Sequence, residues 1–171
     1  MDSKNNKILK VGVKLNFLNK TKFKISKSFF EKAFLTSIKV LEIPRPALLE
    51  IYLVSQNEIK EINSKWRAKF LPTDVISFEV TNKNTAHYPE ISDKRADANY
   101  LNPMFWGIIF LCPNFIKTRA KKVDLQFKRY LLWAFIHGII HCVGYDHEKS
   151  SKEEKLMRQF EKQILNKTFS Y

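Results

Sequence analysis

Three of the chain's four histidines fall in one short stretch, His137-Gly138-Ile139-Ile140-His141-Cys142-Val143-Gly144-Tyr145-Asp146-His147. Histidines four residues apart share one face of an α-helix, stacked a turn apart. Gly144, three residues past the second, can take the left-handed conformation that ends a helix and turns the chain back. The reversal brings His147 toward the same point. Three neutral imidazoles plus a position open to water make a catalytic zinc-type site. A single histidine on an apolar helix is more often a hydrogen-bonded core residue. Three in this phase, with a glycine at the turn, predict metal ligation by His137, His141 and His147 and a metal-assisted hydrolase. Zinc suits three imidazoles, but nickel and copper accept them too. Cys142 follows His141 and so points about 100° away around the helix, which makes it a small core residue rather than a fourth ligand.

The same offsets occur in metzincin proteases, H-E-x-x-H-x-x-G-x-x-H, whose Glu is the general base. Here that position is Gly138. The ligand pattern is kept and the peptidase base is absent.

Net charge narrows the substrate. With 30 Lys and Arg against 17 Asp and Glu, the 171-residue chain carries a formal +13. That favours a polyanionic partner, nucleic acid or an anionic membrane surface, although a lysine-rich proteome produces the same bias. Residues 1–40 hold ten lysines against Asp2 and Glu31, and residues 117–129 hold six basic residues against Asp124. Either cluster can be a solvated face or a track for a phosphodiester backbone. No apolar run approaches a membrane span, and the N-terminus does not read as a signal peptide. A cytosolic protein with reduced Cys112 and Cys142 is expected.

The length suits one domain over 1–171. Residues 6–18 read as a strand with Val11, Val13, Leu15 and Phe17 on one face. Residues 26–42 read as a helix stopped by Pro44 and Pro46, and 48–54 as a second strand. Ser55-x-x-Glu58 is a capping box opening a helix through Trp66. Residues 74–80 form a near-continuous apolar run, which predicts a strand buried on both faces. Residues 81–104 are polar and aperiodic, which predicts an insertion, a lid or a disordered, flexible flap. A fourth strand over 105–112 leads to Pro113, suited to the first turn of a helix. Residues 124–143 predict the central buried helix, and Ser151-x-x-Glu154 caps a last one with Leu156, Met157, Phe160 and Ile164 inward. Four strands and about five helices in non-alternating order predict an α+β domain.

A second stretch, Asn63-Ser64-Lys65-Trp66-Arg67-Ala68-Lys69-Phe70-Leu71-Pro72-Thr73-Asp74-Val75-Ile76-Ser77-Phe78, puts Arg67 at a helix end and Pro72-Thr73-Asp74 at a strand entry. Alone, such an arginine is often a surface residue, and Thr73 and Asp74 can simply cap a turn. Taken together, H-G-x-x-H-x-x-G-Y-D-H at 137–147 and N-x-x-x-R-x-x-x-x-P-T-D-V-x-S-F at 63–78 resemble the YbeY family of bacterial endoribonucleases. The resemblance extends to Met157 and Glu161 and covers roughly residues 48–165.

That resemblance implies a small mixed sheet in a single α+β domain, with one zinc-like ion on His137, His141 and His147. It also implies a metal-dependent, single-strand-specific endoribonuclease. Its work would be maturation of the 3′ end of small-subunit ribosomal RNA and ribosome quality control, with the small ribosomal subunit and assembly factors as partners. The family's functional arginine carries over to Arg67, which with His141 is the expected catalytic pair. In this reading Arg67 grips the phosphate and the lysines of 1–40 and 117–129 hold the strand. Asp146 either supports a ligand histidine or caps the Gly144 turn. Tyr145 is a packing residue, and His87 is exposed and unrelated. The chain departs from the family at Gly107-Ile108-Ile109, where Gly-Asp-Ile is usual, and in the length of 81–104. Two rivals stand beside this reading: a metal-dependent amide hydrolase, against which Gly138 speaks, and a non-catalytic ribosome-assembly factor with a bound metal, for which Ile108 speaks.

Overall fold

A computed structural model describes residues 12–79 and 105–169, apart from the side chain of Trp106. Four strands, β1 (Val13–Asn19), β2 (Ala47–Leu53), β3 (Val75–Glu79) and β4 (Phe105–Leu111), form one sheet in the order β1-β2-β4-β3. β1, β2 and β4 run parallel and β3 is antiparallel to β4. Five helices accompany them among the described residues: α1 (Ser28–Val40), α2 (Gln56–Arg67), α3 (Pro113–Lys122), α4 (Phe127–Cys142) and α5 (Ser151–Phe169). The architecture is the expected α+β arrangement with a mixed sheet. The start of the first strand reading, the 81–104 loop and His87 lie outside the described residues.

α4 is the centre of the core. Leu131, Phe135, Ile136, Ile139 and Ile140 have no solvent exposure, each contributing about 1.5–3 kcal/mol of burial. It lies on β3 and β4 and is flanked by α1, α3 and α5. Gly138 permits this contact. A methyl group there would sit 3.1 Å from Ile109 Cδ1 and 3.3 Å from Val75 Cγ2. The helix therefore approaches the sheet more closely at this turn than a larger residue allows.

Strand alternation assigns the other sheet face. Phe105, Ile109 and Leu111 belong to the α4 side, while Phe110 packs with Tyr52, Val54, Ile59 and Ile76 on the opposite side. Ile108, fully buried, falls on that opposite side with Glu50 as its cross-strand partner. Glu50 is itself fully buried and accepts the Tyr52 hydroxyl at 2.7 Å.

Two local expectations are corrected. Among the described residues, β3 is an edge strand in which only Ile76 is buried, because β4, not β3, occupies the interior position of the sheet. The cap of α5 is Ser150 rather than Ser151: its hydroxyl accepts the Glu153 N–H at 3.2 Å. The Ser55–Glu58 capping box is present, as is Pro113 in the first turn of α3.

Candidate metal centre

His137 and His141 project from the last two turns of α4. The helix then ends as the glycine predicted. Gly144 has φ +98°, its N–H donates to His141 O at 2.9 Å, and the Tyr145 N–H reaches Ile140 O at 3.4 Å. This pair of reversed bonds is the Schellman arrangement. Tyr145 then packs on Phe160 with ring centroids 5.2 Å apart, and His147 swings back over α4. Its ring centroid lies 5.3 Å from His137 and 5.1 Å from His141.

The three histidines each present one ring nitrogen, all within 4.8 Å of one another. Nε2 of His137 and Nε2 of His141 are 3.1 Å apart, near the edge of about 3.3 Å that a tetrahedral ion with bonds of roughly 2.0–2.1 Å spans. Burial, with the neighbouring His137 and His147, pushes the His141 imidazole down to about 4. It therefore stays neutral, with a lone pair to donate, at physiological pH. Donor type, convergence and protonation fit a divalent ion of the zinc class.

A carboxylate on α5 orients this set. Glu161 Oε1 lies 2.7 Å from His137 Nδ1, and its Oε2 accepts the Trp133 indole N–H at 2.9 Å. With Nδ1 engaged, Nε2 of His137 is left for a metal. Asp146 does something else: its carboxylate accepts the Glu148 N–H at 2.9 Å, which holds its pKa below the usual carboxylate range. It closes the next turn, over 146–149, rather than the Gly144 turn expected of it. Cys142 is buried, with its Sγ 3.4 Å from Phe78 O, and is no ligand.

The histidines open into a cleft of about 400 Å³ whose walls include Arg67, Lys69, Ser77 and Lys149. Arg67 reaches it because α2 stops at Ala68, whose φ of +52° turns the chain. Asn63, buried in α2, then donates from Nδ2 to Leu71 O at 2.7 Å. Asp74 pins the far end of this loop. Its carboxylate accepts the Val75 N–H at 3.0 Å and the Tyr130 hydroxyl at 3.1 Å. Thr73 and Asp74 thus cap the strand entry, as their residue types suggested.

Among the described residues, the cleft's cations are Arg67, Lys69 and Lys149. None of the basic residues of 117–129 lines this cleft: Lys128 and Arg129 stand at the opposite end of α4, about 20 Å along the helix from His141 at 1.5 Å per residue, and Lys117, Arg119, Lys121 and Lys122 are on α3. Ile108 is not at the site either, being on the far face of the sheet.

A family model described as Endoribonuclease YbeY matches residues 15–168. Among similar proteins, an Endoribonuclease YbeY of Persephonella marina is 31% identical over 147 residues, 86% of this chain and 86% of that one. One of a Geobacillus species is 36% identical over 129 residues, 75% of this chain and 78% of that one. The solution structure of TM1509 from Thermotoga maritima is similar with a TM-score of 0.57 at 25% identity, covering 91% of this chain and 89% of that one.

Proposed function

The chain belongs to the YbeY family, and on that premise we propose that it is a metal-dependent, single-strand-specific endoribonuclease of ribosomal RNA maturation. His137, His141 and His147 hold one zinc-like ion, and Arg67 engages the scissile phosphodiester. The observation that carries this reading is the shared cleft, in which Arg67 and all three histidines face one open volume.

A zinc-class ion on these residues supplies Lewis acidity toward water and a phosphoryl oxygen. The chain's own groups do the remainder. Glu161 holds the His137 ring so that Nε2 faces the cluster. The Arg67 guanidinium offers two parallel N–H donors to a phosphate and offsets charge that grows in the transition state. Lys69 and Lys149 neutralise flanking phosphates at the cleft wall. The cytoplasm is the compartment proposed, with the 3′ end of small-subunit ribosomal RNA as substrate and the small subunit and its assembly factors as partners.

An amide hydrolase of the H-E-x-x-H type is disfavoured by Gly138, which is packed against Ile109 and Val75. A purely assembling factor is disfavoured because Ile108, its chief support, is remote from the histidines. The test is cleavage of a small-subunit precursor RNA carrying its 3′ extension. Zinc-loaded protein should cut it, chelation should stop cutting, and returned zinc should restore it. Cutting that survives complete metal removal would overturn the proposal.

A further inference from the structure

The two most exposed large apolar side chains among those described, Phe70 at 70% and Leu71 at 73%, sit side by side on the loop joining α2 to β3. Their exposure is not the result of a slack loop. The Ala68 turn, the Lys69 N–H to Asn63 O bond at 3.3 Å and the Asn63 to Leu71 O bond at 2.7 Å fix one side. Asp74 fixes the other through Val75 and Tyr130. The backbone is thus held so that the apolar tip points into solvent beside Lys69, which lines the metal cleft. The nearby Trp66, by contrast, is engaged edge-on with Phe78 at 6.0 Å.

We propose that Phe70 is a stacking platform for one unpaired base of the RNA strand that enters the cleft, with Leu71 against the same nucleotide. The inference rests on the RNA-cleaving reading of the site and adds how the strand is positioned. An exposed ring on a backbone held from both sides, flanked by Lys69 and Arg67, combines the two elements that bind single strands: cations along the backbone and an aromatic face for a base. Each base in a duplex is already stacked and paired, so this ring favours single strands over helices without reading sequence. Phe70 acts as a positioning residue, since it lies outside the cleft that holds the reacting groups.

The experiment uses the full-length, metal-loaded protein and a single-stranded RNA oligonucleotide, alongside copies in which one base at a time is replaced by an abasic nucleotide. Phe70→Ala should weaken binding roughly 5- to 100-fold with unchanged thermal midpoint, and Phe70→Trp should restore it. One abasic position should weaken wild-type binding by a similar factor and leave Phe70→Ala binding unaltered. Equal binding by wild type and Phe70→Ala overturns the platform, as does full rescue by Phe70→Leu, which would mark a merely apolar contact with a protein or RNA. Binding that depends on Phe70 without cleavage supports the platform and sinks the nuclease reading. Cleavage with no dependence of binding on Phe70 does the reverse.

Discussion

Glu161 and His137, 24 residues apart and on different helices, are joined by a 2.7 Å contact between carboxylate Oε1 and imidazole Nδ1. The carboxylate is held in turn by the Trp133 indole. The ring is therefore oriented before any ion arrives. Glu161→Ala should lower zinc affinity about 10- to 100-fold, read by competition against a chelator of known affinity. Affinity equal to wild type would show that Glu161 only packs.

Gly138 should resist conversion to the peptidase residue. Glu at this position would drive its side chain into Ile109 and Val75 and place a carboxylate in a buried contact. Gly138→Glu should cost roughly 3 kcal/mol or more, seen as a fall in the urea midpoint, and should not create amide hydrolysis. An unchanged midpoint would contradict the close helix–sheet approach.

Much of this site was legible from spacing. The His137–His141 phase, the Gly144 reversal and the Ser55 capping box are local patterns, set by helix geometry within a few residues. Glu161 was named only through the family resemblance, although it lies on the inward face of α5 near Met157, Ile164 and Leu165. A carboxylate in an apolar stripe was the available signal. The edge position of β3 was not legible, because Val75-Ile76-Ser77-Phe78 has the composition of an interior strand and sheet order is not a local property. The same holds for Ile108, whose face is decided by the register of β2 with β4.

Ile108→Asp, which installs the family's usual residue, should therefore harm the fold instead of helping catalysis. The new carboxylate would be buried across from Glu50, at a cost of about 3 kcal/mol or more. Denaturant unfolding measures this. A variant as stable as wild type with faster RNA cleavage would show that position 108 communicates with the metal centre.

Both cysteines should be silent in the native state. Burial pushes the Cys142 thiol from 9.0 up to about 12 and also raises Cys112. At pH 8 the Cys142 thiolate fraction is then about one in ten thousand. Thiol reagents should label neither until the protein unfolds. Stability should also fall as pH rises above about 9. The unfolded Cys142 releases its proton there and the folded one holds it to about 12; Tyr130, raised from 10.0 to about 12, adds the same sign. Rapid native labelling, or a thermal midpoint constant from pH 8 to 10.5, would contradict this burial.

The central claim is that His141 and Arg67 serve one RNA-cutting centre. Single-turnover cleavage of an end-labelled single-stranded RNA by metal-loaded wild type, His141→Ala and Arg67→Ala measures it directly. The account predicts loss of metal and of cutting in His141→Ala. Arg67→Ala should retain its metal and cut about 100-fold or more slowly. Equal cleavage by all three proteins would contradict it.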